Sequence, residues 1–183
     1  MKQKIHILGA SGSGTSSIAQ AVAKKFGYKH FDTDNYLWYP TAEPFTELRP
    51  VEERIPLLEK DLASCKRWIN SGSLIGWGDV FIPLFDLVVF VYVPQDIRVQ
   101  RLREREYQRY GDATLPGGHR YESTIEFIDW AAGYDAGLLT GRSLAKHENW
   151  LTGITCDVLR VVNLDFDESV NAVVEAVGSS KWK

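Results

Sequence analysis

The stretch ILGASGSGTSS, residues 7–17, joins an apolar run of strand length to a segment with the apolar spacing of a helix. Gly9 and Gly14 have the spacing of the signature G-x-x-x-x-G-K-[ST], and Ser16 stands at the position of its hydroxyl residue. A strand that turns through glycines into a helix directs backbone N–H groups and the positive end of the helix at one point. The pattern therefore predicts an anion site, and the spacing favours a phosphate.

One position departs from that signature, because Thr15 stands where a lysine is expected. Threonine donates one neutral hydrogen bond and brings no charge. Losing one donor to a transition state typically costs about 10²- to 10³-fold in rate. Either another cation replaces the lysine, or phosphoryl transfer at this site is slow. The residues expected to contact the phosphates are Gly9, Ser11, Gly12, Ser13, Gly14, Thr15 and Ser16.

The same glycines permit a second interpretation. Gly12 and Gly14 also fit the start of the dinucleotide signature G-x-G-x-x-G, and Asp32 and Asp34 follow about 20 residues later, where a ribose-binding acid would stand. Ser17 occupies the place of the third glycine, which makes the dinucleotide interpretation weaker than the phosphate-loop one. A glycine-rich turn that binds nothing is the third possibility.

Length and charge limit the class of protein. The chain has 183 residues, 44% of them hydrophobic, and a formal net charge of −3. This length suits one domain, expected to span 1–183. A negative net charge provides no global attraction for nucleic acid or an anionic membrane, so neither is expected as a partner. The sequence contains no run of about 18 apolar residues, so it does not predict a membrane span. Cys65 and Cys156 have no metal-site spacing. We expect a cytoplasmic location.

Strand and helix patterns alternate along the chain. Strands are predicted at 4–8, 28–32, 67–72, 85–93 and 157–162, and helices at 15–26, 50–64, 95–109 and 167–178, the last beginning near Asp167 or Ser169. Residues 124–150 are expected to be mostly helical, with an interruption at 133–143. Alternation of this kind predicts a parallel α/β sheet, whose ligands lie at the carboxyl ends of the strands.

Two carboxylates follow the second predicted strand. Asp32 and Asp34 flank Thr33, and on an extended segment their side chains would point the same way. Such a pair could hold a substrate hydroxyl, act as a base or position magnesium through water. We favour Asp34 as the base and acceptor contact, and Asp32 as a support or metal-water ligand. The alternative is that one caps the following helix and the other is solvated.

Aromatic and polar residues after the second and third strands suggest the wall of an acceptor pocket. The candidates are Tyr36, Trp38, Arg49, Trp77 and Asp79, and the segment NYLWYPTAEPFTELRP equally fits a helix packed on the core. An apolar wall with few charges suits a small acceptor that bears a hydroxyl or a ring.

Arginines crowd the helix that follows Pro94. Arg98, Arg101 and Arg105 are separated by three and four residues, so they are expected to share one face. A charged face is usually only solvated. This helix, however, follows directly from the rim of the central strand, which favours a role in binding.

Three stretches resemble the P-loop nucleoside and nucleotide kinases of the adenylate kinase-like group: ILGASGSGTSS, FDLVVFVYVPQDIRVQRLRER and HFDTDNYLW, the last being similar to shikimate- and gluconate-type kinases. The resemblance implies five parallel strands with helices on both faces, an acceptor-binding insert at about 33–65 and a lid at about 106–124. It implies ATP and Mg²⁺ as cofactors, with Mg²⁺ near Ser16 and Asp32. It suggests Arg101 near the adenine or the phosphates and Arg105 on the phosphates, while Arg120 and Arg142 close over them.

The expected function is transfer of the γ-phosphoryl group of Mg-ATP to a small acceptor. We expect Arg101, Arg105 and Arg142 to supply together the charge that a lysine would bring. Kinases of this group that act on nucleoside monophosphates carry an arginine soon after strand three, whereas this chain has SGSLIGWGD there, which disfavours a monophosphate acceptor. A nucleotide-binding regulatory protein without catalysis is the second hypothesis, and an NAD(P)-dependent reductase the third.

Overall fold

A parallel sheet forms the centre of the molecule. The computed structural model describes residues 1–137 and 141–179. The strands are β1 (Lys4–Gly9), β2 (Lys29–Asp32), β3 (Trp68–Ser71), β4 (Leu87–Tyr92) and β5 (Asp157–Val162). Their order is β2-β3-β1-β4-β5, and every neighbouring pair is parallel. The predicted five-stranded parallel sheet is confirmed. Its order differs from the 3-2-1-4-5 start of the dinucleotide fold, because β3 and not β2 lies beside β1.

The helices are α1 (Thr15–Phe26), α2 (Asp34–Leu37), α3 (Val51–Ala63), α4 (Gln95–Tyr110), α5 (Tyr121–Ala132), α6 (Leu144–Leu151) and α7 (Phe166–Gly178). Single 3₁₀ segments lie at Asp79–Leu84 and Gly111–Thr114. Among the described residues, no helix is both long enough and apolar enough to cross a membrane.

Alternate side chains of the central strands enter two separate cores. Ile5 and Ile7 of β1 pack on one face, where α1 and α7 contribute Ile18, Val22 and Val173. Leu8 lies on the other face with Leu58 of α3, Trp68 and Trp150 of α6. Burying one such side chain contributes roughly 1.5–3 kcal/mol. Because both faces of the sheet are covered, β1 and β4 are buried almost throughout, as the apolar runs predicted.

The expected insert is partly a hairpin. Residues 38–49, here named the hairpin segment, leave and return through an antiparallel bridge between Trp38 and Leu48. The Tyr39 N–H donates to the Glu47 carbonyl at 2.9 Å. Phe45 near its tip has φ 64°, a left-handed conformation that non-glycine residues seldom adopt. Of the two alternatives for NYLWYPTAEPFTELRP, a helix accounts only for its first residues, which end α2 at Leu37.

The expected lid is more helical than predicted. α4 continues to Tyr110, a 3₁₀ turn follows, and α5 begins at Tyr121, so only residues 115–120 are non-helical within 111–121. Gly118 packs so closely on this turn that a Cβ there would lie 2.3 Å from the Ala113 carbonyl oxygen. The helix interruption expected at 133–143 includes residues 138–140, which lie outside the described residues. The boundaries of insert and lid remain predictions.

The start of the last helix also differs. The Asp165 carboxylate accepts the Glu168 N–H at 2.9 Å, so Asp165 caps α7 instead of Asp167 or Ser169. Asp165 has extended backbone angles, from which a side chain reaches the N–H three residues ahead. The helix predicted from 167 thus begins one residue earlier, at Phe166.

Candidate functional site

The glycine loop lies between the end of β1 and the start of α1. Gly12 and Gly14 have φ values of 81° and 89°, which only glycine adopts at low cost. A Cβ on Gly9 would lie 2.4 Å from the Val91 carbonyl oxygen, so the loop is pressed against β4. Close packing of this kind fixes the path of the backbone around the N-terminus of α1.

The loop carries unpaired donors. Among the hydrogen bonds of the described residues, none uses the backbone N–H groups of Ser11, Gly12, Gly14, Thr15 or Ser16 as a donor to the protein. The buried hydroxyl of Ser13 also has no partner there. N–H groups that gather at the N-terminus of a helix without protein acceptors fit the oxygens of a phosphate chain. Phosphate binding by these donors stays a prediction.

Ser16 and Asp32 meet at the mouth of the loop. The Ser16 hydroxyl donates to Asp32 Oδ2 at 2.6 Å, and the Ser71 hydroxyl lies 3.4 Å from Ser16 Oγ. His30 Nε2 is 2.8 Å from the Ser71 hydroxyl. A hydroxyl that donates to a carboxylate keeps its lone pairs available for a cation. Hard oxygen ligands of this kind, together with phosphate oxygens and water, are those that Mg²⁺ prefers.

Asp32 also fixes the start of α2. Its Oδ1 accepts the Asp34 N–H, the first N–H of α2, at 3.0 Å, while the N-cap position itself belongs to Thr33. Thr33 already has helical backbone angles, φ −60° and ψ −27°. The prediction that the two carboxylates share one side of an extended segment is therefore wrong.

Asp34 begins α2 beside several charges. Desolvation by the surrounding residues, followed by the charge of Asp32, raises the pKa of the Asp34 carboxyl above its ordinary value. Arg142, Arg105 and Arg109 act in the opposite direction and hold the pKa down. Part of the Asp34 side chain still reaches solvent. A carboxylate with a raised pKa, within the field of arginines, is suited to accept a proton.

The arginines of α4 have different environments. Arg98 is fully buried and donates to the Val93 carbonyl at 2.9 Å, to the Ala131 carbonyl at 3.1 Å and to Asp135. It ties α4 to the end of α5 and does not share an open face with Arg101 and Arg105, because that side of the helix packs on α5. Arg101 is half-buried.

Arg105 is also engaged within its own helix. Its Nη2 lies 2.9 Å from Glu106 Oε1, an oxygen that is 3.6 Å from Arg109 Nη1. Its guanidinium lies 5.5 Å from the centre of the Phe127 ring. The charge of Glu106 offsets part of what Arg105 would bring to phosphates.

Arg142 stacks on an aromatic ring and interacts electrostatically with the two carboxylates. Its guanidinium lies 5.3 Å from the centre of the Trp130 ring. Burial lowers the pKa of Arg142, while Asp34, Tyr134 and Asp32 act in the opposite direction. Arg142 thus interacts electrostatically with both Asp32 and Asp34, although it follows them by more than 100 residues along the chain.

Arg120 links the expected lid to the hairpin segment. Its guanidinium lies 4.0 Å from the centre of the Tyr110 ring, and its Nη1 is 3.9 Å from Glu43 Oε1. Its Nε is buried and has no partner among the described residues. Arg120 therefore reaches across from the N-terminus of α5 toward the segment expected to bind the acceptor.

The remaining acceptor candidates have structural partners. Arg49 donates to the Tyr36 carbonyl at 3.2 Å and lies over the Tyr39 ring. Asp79 accepts the Trp150 indole N–H at 2.8 Å, and Trp77 is buried. Trp38 is half-buried and meets Phe45 edge to face at 6.1 Å. Acceptor binding by these four residues stays a prediction. The contacts of Arg49 and Asp79 within the protein explain the positions of both side chains without a ligand.

A buried chain of polar groups, which the sequence analysis missed, lies beside Arg142. The Tyr134 hydroxyl is 2.5 Å from His147 Nδ1, and His147 Nε2 is 3.2 Å from the Ser73 hydroxyl. Burial, then the charges of Arg142 and His6, lowers the pKa of His147 to about 3. The chain joins the loop after β3, the helix α6 and the segment after α5. No sequence spacing relates these residues.

A second missed residue lies under the glycine loop. Asn163 directly follows β5, is 2% exposed, and its Nδ2 donates to the Ser13 carbonyl at 2.8 Å. The one available signal was its place after a predicted strand, at the edge of the sheet where ligands bind.

Comparison with known proteins gives both a close relative and a fold. No protein-family model matches the chain. It is 49% identical over 177 residues to the uncharacterized protein YqaC of Bacillus subtilis, covering 97% of this chain and 96% of that protein. A cytidylate kinase of Archaeoglobus fulgidus is 29% identical over 114 residues, 56% of this chain and 62% of that protein.

Among solved structures, the shikimate kinase of Bacteroides thetaiotaomicron superposes with a TM-score of 0.58 at 20% identity. The superposition covers 98% of this chain and 100% of the kinase chain. At this identity the likeness shows the fold alone. The chain thus has the P-loop kinase fold that the resemblance implied.

Proposed function

We propose a phosphoryl-transfer function for this chain, which belongs to the family of the uncharacterized protein YqaC of Bacillus subtilis. The proposed reaction moves the γ-phosphoryl group of Mg-ATP to a hydroxyl of a small acceptor. The observation that carries the proposal is the hydrogen bond between Ser16 and Asp32, at 2.6 Å, beside a loop of unpaired N–H groups. A dinucleotide site needs no such hydroxyl, and the strand order is not the dinucleotide one.

The nucleotide side follows from the loop. The N–H groups of Gly12, Gly14, Thr15 and Ser16 would hold the phosphate oxygens, as donors with the helix end behind them. Ser16 and Asp32 would hold magnesium, Asp32 through water, and the bound ion would supply positive charge to the phosphates. We place the adenine base of the nucleotide against Leu164 and Phe166, two exposed apolar residues that follow Asn163 within three positions.

The acceptor side is built around Asp34. In the proposed step the acceptor oxygen forms a bond to the γ-phosphorus, and the bond from that phosphorus to the bridging oxygen of ADP breaks. The acceptor proton passes to the Asp34 carboxylate. Arg142, with Arg105 and Arg101 of α4, stabilises the charge on the transferred group. We place Arg120 on the acceptor side, at the N-terminal end of α5 and near Glu43 of the hairpin segment.

Nucleotide binding without catalysis is the second candidate. The observation that favours it is the pairing of Arg105 with Glu106, which leaves less positive charge to replace the missing lysine. The two candidates differ in one property, because both bind Mg-ATP and only the first consumes it when an acceptor is present.

ATP consumption with a panel of acceptors tests the proposal. Shikimate, gluconate, deoxyadenosine and cytidine 5′-monophosphate cover hydroxy acids, a nucleoside and a monophosphate. We expect turnover with at least one of the first three compounds. Asp34→Asn should lower that turnover about 10²-fold or more, because the proton then has no carboxylate to receive it.

The matched control is Asp129→Asn, since Asp129 is an exposed carboxylate on α5. It should keep wild-type turnover. Binding of Mg-ATP without consumption in the presence of every acceptor would favour the regulatory candidate. Equal loss in both variants would remove Asp34 from the proposed role.

A further inference from the structure

A phosphate loop without a lysine depends more heavily on its backbone N–H donors. The peptide that carries one of these donors, the Gly14 N–H, is held by the side chain of Asn163. Asn163 lies 150 residues after Ser13, yet its amide nitrogen is 2.8 Å from the Ser13 carbonyl oxygen. A Cβ on Gly14 would lie 2.6 Å from the same nitrogen. The loop therefore rests directly on Asn163.

The orientation of this amide follows from its partners. A carbonyl oxygen only accepts, so the atom of Asn163 that faces Ser13 must be the NH₂ group. The other end, Oδ1, faces the Ser169 hydroxyl at 3.0 Å, and the Asn163 N–H donates to the Tyr92 carbonyl at 2.9 Å. Two contacts of the side chain and one of the backbone thus fix a residue that is almost completely buried.

The geometry of the peptide bond relates the contact between Asn163 and Ser13 to the direction of the Gly14 N–H. In a planar trans peptide the C=O and the following N–H point in opposite directions. Because the Ser13 carbonyl points out of the loop to Asn163, the Gly14 N–H points to the opposite side. Among the described residues that N–H has no protein acceptor. Gly14, with φ 89°, would let this peptide rotate at little cost if nothing held it.

We propose that Asn163 is the positioning residue of the phosphate-binding loop, whose side-chain amide keeps the Ser13–Gly14 peptide with its N–H turned toward the triphosphate. The inference rests on the proposed nucleotide binding. Rotation of this peptide would replace a donor by a carbonyl oxygen facing the phosphates. Thr15 brings no charge to compensate, so the orientation of this one peptide matters to the affinity.

The test compares Asn163→Ala and Asn163→Asp with wild type, using the dissociation constant for Mg-ATP from calorimetry. Asn163→Asp keeps the shape and removes the donor. We expect both substitutions to raise the dissociation constant about tenfold or more, since a hydrogen bond to a charged partner is lost. Ser169→Ala keeps the Asn163 donor and should have a smaller effect.

A second ligand separates positioning of the loop from general damage. Adenosine has no phosphates, so its affinity, followed by NMR titration, should stay within about twofold in the Asn163 variants. Wild-type affinity of Asn163→Asp for Mg-ATP would overturn the inference. So would an equal loss of affinity for adenosine and Mg-ATP. If wild type binds neither Mg-ATP nor Mg-GTP, the proposed function fails and this inference fails with it.

Discussion

Thr15 gives the loop a neutral hydroxyl at the place where phosphate loops carry a cation. We propose Arg142 as the replacement, because its charge and those of Asp34 and Asp32 at the mouth of the loop act on one another. Arg105 is weaker in this role, since it is paired with Glu106. That Arg101, Arg105 and Arg142 share this charge stays a prediction, and we propose that Arg142 supplies more of it than Arg105.

We predict that Arg142→Gln lowers ATP turnover about 10²-fold, the usual effect of losing one donor to the transition state. Adding Thr15→Lys to that variant should restore part of the loss, because an ammonium then reaches the phosphates from the loop. Steady-state turnover of the single and double variants measures both effects.

Arg103→Gln is the matched control, since Arg103 is exposed on α4 and should be replaceable without effect. Unchanged turnover in Arg142→Gln would contradict the assignment. A loss that Thr15→Lys does not reduce would mean that Arg142 acts on something other than the phosphates.

Residue-level features separate into two groups by how far their partners lie along the chain. Loop glycines and Ser16 are predictable, because a local spacing encodes them. Asn163 and the Ser73–His147–Tyr134 chain are not, because only the tertiary fold joins them. The burial of Arg98 was missed for a related reason. Helical spacing identifies the face that Arg98 shares with Arg101 and Arg105, whereas packing on α5 decides which of these side chains is buried.

Three elements meet at His147, and their arrangement fixes its tautomer. Burial raises the pKa of the Tyr134 hydroxyl, so it stays protonated. Among the described residues its only acceptor is His147 Nδ1, at 2.5 Å. The imidazole is neutral, so its proton is on Nε2 and is donated to the Ser73 hydroxyl. Ser73 follows Gly72, which packs on Thr33 next to Asp34.

We predict that His147 holds the Nε2–H tautomer from pH 5 to pH 8, because its pKa of about 3 lies below this range. Long-range ¹H–¹⁵N NMR spectra identify the tautomer from the ring nitrogen shifts. Tyr134→Phe removes the donor to Nδ1 and should move the His147 signals toward a mixture of tautomers. An Nδ1–H form in the wild type, or a protonated ring at pH 6, would contradict the prediction.

Helix and strand positions were largely readable, since apolar spacing encodes them, and the differences lie where the chain caps or turns. Asp165 caps α7 through a carboxylate reaching three residues ahead, which periodicity does not register. The hairpin segment was not foreseen because its bridge between Trp38 and Leu48 uses no alternating apolar pattern. The lid was expected to be a loop on account of its glycines, although these occupy only a short turn between helices.

The fold of the whole molecule determines which interpretation of the glycine loop survives. Alternating elements predicted a parallel sheet, but did not reveal its order. The insertion of β3 between β1 and β2 places Ser71 next to Asp32, within reach of Ser16. This placement creates the hydroxyl and carboxylate group on which the proposed magnesium site depends. The central claim is therefore that a lysine-free loop in this fold binds Mg-ATP.

Thermal unfolding with and without Mg-ATP tests that claim most directly, with NADPH as the competing ligand. At about 100 times its dissociation constant, Mg-ATP should stabilise the protein by about 2.7 kcal/mol and raise the melting temperature. Ser16→Ala should reduce this rise, whereas Ser17→Ala, an exposed neighbour in α1, should preserve it. No stabilisation by Mg-ATP or Mg-GTP, together with a rise in the melting temperature with NADPH, would contradict the account.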